Sequence, residues 1–272
     1  IGDATFIQLA EELVAQGPAV ALEGVRANQA VAVADAGLLP PQIEGFGQAG
    51  TRQKLDRLAV KLLDAVQRAG LVDAAWNANE HRGIPFGSVV TIVVREGNPK
   101  GIKDWDDLLE SGVEVVTPNP FSSGSAKWNL LAPYAAKSNG GVDQEAGLNY
   151  ISSLVGDHVK IQPKSGREAT EAFLQGTGDV LLSYENEALF IERKGEPVEH
   201  VTPPQTFKIE NPTAVLSKGA GVKAATAFNE FLYTPEAQRL WAEAGFRPVD
   251  ATVAQEFAAD FPQPEKLWTI TD

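Results

Sequence analysis

Apolar positions along the chain follow two rhythms, one helical and one strand-like. Phe6, Leu9, Leu13 and Val14 recur at helical spacing and predict an amphipathic helix over 4–16. Leu55, Leu58, Leu62, Leu63 and Val66 predict a second over 51–69, stopped by Gly70. The β-branched run 87–95 predicts a strand that ends at Gly97-Asn98-Pro99. A short helix over 104–110 and a short buried strand over 113–116 follow. Trp128, Leu131 and Ala135 then predict a helix entered through Ser122–Ser125, with Pro133 implying a kink or an early end. Lys164 to Thr170 repeats that plan: a small-residue turn opens a helix through Phe173, which Gly176 and Gly178 close. Residues 179–184, DVLLSY, read as a buried strand running into Glu185-Asn186-Glu187-Ala188, either as extended chain with both carboxylates on one face or as a helix start. Thr234-Pro235-Glu236 opens a late helix and Gly245 stops it. Strands alternating with helices predict an α/β fold with parallel pairing.

The richest chemistry lies at 117–126, TPNPFSSGSA, a proline-punctuated loop with a Ser-Ser-Gly-Ser cluster just before a helix. The first turn of a helix carries N–H groups without intrahelical partners, and its dipole places partial positive charge there. An oxyanion fits such a site without a cationic side chain. Ser122 or Ser123 suits the N-cap, Gly124 lets the backbone approach closely, and Ser125 offers a further hydroxyl. An ordinary capped helix has the same composition. The second small-residue turn at Ser165-Gly166-Arg167, and the strand end at Tyr184, shift the balance toward a ligand at the carboxyl edge of an α/β sheet.

Composition narrows the classes. The 272 residues allow a two-lobed protein, and the 43% hydrophobic and 22% charged content is ordinary for a globular one. No apolar run reaches the length of a membrane-spanning helix, about 18 residues. A net charge of −13 argues against nucleic-acid binding. It opposes an anionic ligand only mildly, because distant surface charges are screened over about 8–10 Å. Without cysteine there is neither a disulfide nor a thiolate nucleophile. The absence of methionine has no physical account.

Other motifs weigh less. Gly45-Phe46-Gly47-Gln48-Ala49-Gly50 satisfies G-x-G-x-x-G, but Pro40 and Pro41 spoil the strand a dinucleotide site requires. His81, His158 and His200 share no ligand spacing and read as solvated loop residues, so no metal site is expected. Neither a nucleophile elbow nor a Ser/His/Asp order is present, so no catalytic residue is assigned. The five tryptophans read as core or surface anchors.

The segments TPNPFSSGSAKWNLLAPYAA, SGREATEAF, GTGDVLLSYENEAL, IENPTAV and YTPEAQRLWAEAGFRPVD, taken in order, resemble the sulfate-binding proteins of sulfate/thiosulfate ABC importers, the actinobacterial members above all. The resemblance covers about residues 69–272. It implies a two-lobed, type II periplasmic-binding-protein fold, each lobe a mixed sheet flanked by helices. Lobe one would comprise 1–92 plus 205–272, lobe two 93–204, with a ligand cleft between them that closes by hinge motion. Ser123, Gly124, Ser125, Gly166, Arg167 and Tyr184 would then form the lobe-two side of the anion site, Tyr184 standing where some members carry a tryptophan. Asp3 and the 45–50 loop, through Gly47, Ala49 and Gly50, would face them, although Ala49 replaces the serine whose hydroxyl donates in the family. The resemblance implies sulfate as ligand, an ABC permease as partner, a monomer, no cofactor and no enzymatic activity. It implies an extracytoplasmic site of action, periplasmic or as a cell-surface lipoprotein, with the export signal outside this numbering. Thiosulfate, molybdate or tungstate, and phosphate are alternative ligands, and an enzyme acting on an anionic substrate is a more distant one.

Overall fold

The computed structural model describes residues 31–33, 63, 66–218 and 221–269. These sort into two compact units: the first includes 66–87 and 210–260, the second 88–209 and 261–269. The helix expected over 4–16 lies outside the described residues. The helix expected over 51–69 is seen at Leu63 and over 66–68 and ends at Gly70, whose φ of +69° suits a residue without Cβ.

In the second unit the central strand is β2, Phe86–Arg95, which begins in the first unit and is buried along nearly its whole length. Its Val, Ile and Thr side chains fit a pleated surface covered on both faces. Beside it run β3 (Val115–Val116), β4 (Val159–Ile161), β5 (Val180–Tyr184), β6 (Val198–Val201), β7 (Gln205–Asn211) and β10 (Lys266–Trp268). The sheet order is β10-β7-β2-β5-β3-β4, with β6 also pairing β2. Pairing is mixed, which corrects the expectation of parallel pairing. β3 is parallel to β4 and to β5, whereas β2 is antiparallel to β5 and β6. Hydrophobic periodicity reports burial and carries no strand direction, so alternation of elements suggested parallel pairing, whereas the mixed sheet implied by the family resemblance is what the structure has.

Four helices complete this unit: α1 (Gly124–Ser138), α2 (Gln144–Ser153), α3 (Gly166–Leu174) and α4 (Glu185–Arg193). Pro133 does not end α1, for the helix continues to Ser138. The proline costs one i→i−4 bond. Burial of Ala126, Trp128, Ala132 and Ala135 outweighs that loss, and Asn129 Nδ2 ties the helix to β5 through the Leu182 carbonyl at 2.7 Å. The core joins Val93, Val116, Ala169, Phe173, Leu181, Ala188, Ile191 and Val198. Arg95 lies 3.7 Å over the Phe173 ring and donates to the carbonyls of Thr177 and Gly178, locking the turn after α3.

The first unit packs helices α5 (Val222–Phe231), α6 (Pro235–Glu243) and α7 (Ala251–Glu256) with short strands. Strand β1 (Val31–Val33) pairs with β8 (Thr213–Val215), and β9 (Arg247–Pro248) with the start of β2. Phe86 stacks on Trp241 at 3.9 Å among Phe228, Leu232 and Ala237. Thr234 caps α6 through the Ala237 N–H, with Pro235 in its first turn. Gln238, wholly buried, donates to the carbonyls of Pro85 and Leu232 and accepts from the N–H groups of Val249 and Asp250.

The histidines are not the solvated loop residues expected. His81 stacks on Tyr233, the His158 ring nitrogen contacts the Val113 carbonyl, and His200 sits on β6, 2.7 Å from Glu192. Trp105, Trp128, Trp241 and Trp268 are buried, as anchors should be. Among the described residues no helix is long and apolar enough to cross a membrane, and no cluster of three or more His, Asp or Glu could hold a metal ion.

Replacing Gln238 with Ala would strand four backbone groups at once. We expect a loss of about 2–5 kcal/mol in urea denaturation. A loss below about 1 kcal/mol would show that the hub is dispensable.

Candidate functional site

Three adjacent parallel strands of the second unit end in loops that enter helices. β3 leads through 117–123 to α1, β4 through 162–165 to α3, and β5 directly into α4. Because these strands run in the same direction, the N-termini of α1, α3 and α4 gather at one edge of the sheet. Each brings N–H groups that its own helix cannot satisfy. This is the carboxyl edge at which open α/β sheets bind ligands.

At α1 the N-cap is Ser123, in an extended conformation. Its hydroxyl makes no cap bond to the helix. Instead Ser123 Oγ lies 2.9 Å from Ser125 Oγ. In such a pair one hydroxyl donates to the other, and the acceptor's proton stays available to a further acceptor. Several other caps behave differently: Asp143, Thr234 and Asp250 all accept from their own helix's first turn. The Gly124, Ser125 and Ala126 N–H groups therefore stand at the head of α1 without help from the N-cap side chain.

At α3, Ser165 is the N-cap and accepts from the Glu168 N–H at 3.2 Å, while Glu168 Oε2 accepts from the Lys164 N–H. This reciprocal cap consumes the third donor of the helix. The N–H groups of Gly166 and Arg167 remain ahead of it. The two helix heads lie close together, because a Cβ built on Gly166 would lie 3.3 Å from Ser125 Oγ. Glycine at 166 keeps that gap open.

Arg167 sends its side chain away along α3, where Nε pairs with Glu171 at 3.0 Å and both side chains are largely exposed. Such a pair contributes little to stability, about 0–1 kcal/mol. Tyr184 is half-buried at the end of β5 and is the N-cap of α4 without a side-chain cap bond. Glu185 and Glu187, open between an extended and a helical reading, begin α4. Glu185 is fully buried. Burial pushes the Glu187 carboxyl above the usual glutamate range, opposed by a hydrogen bond from Asn186.

Ser123, Gly124, Ser125, Gly166 and Tyr184 thus sit on the heads of three neighbouring helices. Arg167 joins them through its backbone while its side chain is engaged elsewhere. Asp3, Gly47, Ala49 and Gly50 lie outside the described residues. Asn119 was not singled out from the sequence, although its place between Pro118 and Pro120 marked a constrained loop. Its carbonyl accepts from the Ser122 and Ser123 N–H groups, and its Oδ1 from the Phe121 N–H.

The chain is similar to the sulfate-binding protein SubI of Mycobacterium tuberculosis H37Rv, a solved structure, at 64% identity and a TM-score of 0.72, over 77% of this chain and 73% of that one. It is 39% identical to a sulfate-binding protein of Synechococcus elongatus over 77% of this chain and 61% of the relative. It is 37% identical to the sulfate-binding protein of Escherichia coli K12 over 77% of this chain and 66% of the relative. The chain therefore spans less than two thirds of the length of these two relatives. The model of the bacterial extracellular solute-binding proteins matches residues 10–247, so the chain belongs to that family, among relatives named for binding sulfate.

Proposed function

We propose that this chain captures sulfate outside the cytoplasm and passes it to an ABC permease, acting as a monomer without catalysis. The observation that carries the reading is the meeting of two helix N-termini, Gly124 and Gly166, with the Ser123–Ser125 hydroxyl pair beside them. Its peptide N–H groups can only donate, and its hydroxyls can turn a hydrogen toward an anion. A dianion leaving water loses strong hydrogen bonds, and each oxygen must regain them from the protein. Peptide N–H groups and hydroxyls regain them without a fixed counter-charge. In this reading lobe one (1–92 plus 205–272) and lobe two (93–204) close on the anion, and Asp3, Gly47, Ala49 and Gly50 complete its shell. Tyr184 contributes a phenol O–H.

A set dominated by N–H donors favours sulfate over hydrogen phosphate. The phosphate's remaining proton needs an acceptor, and leaving it unpaired costs about 1–3 kcal/mol. Thiosulfate, molybdate and tungstate share the tetrahedral charge distribution and are the next candidates. The names of the relatives, binding proteins rather than enzymes, also favour capture over turnover.

Titration calorimetry of sulfate into exhaustively dialysed protein should give saturable one-to-one binding, with phosphate failing to compete. Silence toward every oxyanion would defeat the reading. Ser123→Ala removes a hydroxyl that serves a charged acceptor, a bond of about 1.5–3 kcal/mol, so Kd should rise about 10- to 150-fold. An unchanged Kd would remove Ser123 from the site. Arg167→Gln should change Kd by less than about threefold at physiological salt, since its charge is exposed and paired.

The raised pKa of Glu187 yields a pH dependence. The unfolded carboxyl ionises near the ordinary value of about 4.3, the folded one at higher pH. Folded protein therefore holds the proton more tightly, and this contribution to stability, full at low pH, is lost as pH rises through the folded pKa. Glu187→Gln should accordingly be more stable than the parent at pH 7 in urea melts, with the advantage shrinking toward pH 4. An advantage that is the same at both pH values would contradict the assignment.

A further inference from the structure

The loops that deliver α1 and α3 are joined at two points. The Asn119 N–H donates to the Pro163 carbonyl at 2.8 Å. Ser122 Oγ donates to the Lys164 carbonyl at 2.7 Å, across 42 residues of sequence. Asn119 also organises its own loop, its carbonyl accepting from the Ser122 and Ser123 N–H groups at 3.1 and 2.9 Å. The result is a clamp one residue before the α1 N-cap and one residue before the α3 N-cap.

The sheet beneath gives this edge little help. β3 has two residues and β4 three, and their register shifts between Val115 and Val116. Strands so short fix the offset of the helices that follow them only loosely, so the spacing of the two helix heads has to be set above the sheet. Ser122 is exposed, yet its hydroxyl donates to the Lys164 carbonyl at 2.7 Å, with the Asn119 carbonyl farther off at 3.4 Å.

We infer that Ser122 is a positioning residue for the anion site: through the Lys164 carbonyl it holds the head of α3 against the head of α1, so both sets of N–H donors are spaced before ligand arrives. This rests on the reading of the site as a sulfate site. Presetting matters because donors already aimed at the anion spend none of the binding energy on ordering the loops. Ser122 acts without touching the anion, since its hydrogen is engaged by Lys164.

The test uses the full chain with Ser122→Ala and Ser122→Thr. Thr keeps the hydroxyl, and its extra methyl has room at an exposed position. Two readouts are taken: Kd for sulfate by calorimetry, and hydrogen exchange of the Asn119 amide in ligand-free protein. Ser122→Ala should raise Kd about three- to tenfold, the effect of one net hydrogen bond, and should lower the protection of the Asn119 amide. Ser122→Thr should restore both. An unchanged Kd in Ser122→Ala, or a raised Kd with Asn119 protection intact, overturns the inference, the second because it points to direct contact with the anion. If the parent protein binds no sulfate while Ser122→Ala still loosens Asn119, the clamp stands and the sulfate reading falls. If neither occurs, both fall.

Discussion

A helix cannot satisfy its own first N–H groups, and the second unit is arranged around that deficit. Four of the seven described α-helices resolve it locally: Asp143, Ser165, Thr234 and Asp250 each turn a side-chain oxygen back onto the first turn. α1 does not. Its N-cap hydroxyl is turned to Ser125, so the donors at 124–126 lack that partner. Parallel pairing of β3 with β4 and β5 brings the heads of α3 and α4 to the same edge, and Gly166 lets α3 come close. Buried donors without partners destabilise a protein, so such a cluster persists where something else supplies the acceptor.

Electrostatics follows from the same choice. The chain is strongly acidic, with a net charge of −13, and the cationic side chain nearest the donors in sequence, Arg167, is neutralised by Glu171. On the proposed reading, attraction to an anion would depend on dipoles aimed within a few ångströms, where they act before solvent screens them, and not on the field of the whole molecule, which is damped over about 8–10 Å. Glu185 and Glu187, at the head of α4, are local terms of the wrong sign.

Much of this site could be read from residues. Ser-Ser-Gly-Ser and Ser-Gly-Arg mark helix entries because small residues and hydroxyls suit an N-cap, and the helices begin at Gly124 and Gly166. The strand 180–184 was legible from an unbroken apolar run between turn residues. What sequence did not yield was anything dependent on distant partners. The antiparallel neighbours of β2 leave no trace in its Val and Ile pattern. Pro133 breaks a helix by local rules, and only the burial of α1 keeps it whole. His200 pairs with Glu192, eight residues away, across the turn between α4 and β6, a contact that spacing alone does not announce. The bond from Ser122 to Lys164 belongs to this class, since both loops looked complete in themselves.

If the chain carries an anion as proposed, the use of neutral donors also bears on release. A carrier must give up its ligand, so its affinity has to be built from terms that a small displacement can cancel. A peptide dipole or hydroxyl interacts steeply with distance and angle and fades when a helix head moves by an ångström or two. A guanidinium pair would persist through such a shift, since charge–charge attraction falls only as the inverse of distance. On the proposed reading, affinity at this edge would rest on the spacing of α1 and α3, and the contacts from Asn119 and Ser122 join the two loops that deliver those helices. A site of this kind is tuned by residues that never meet the anion, because strength resides in alignment and alignment is set one layer out.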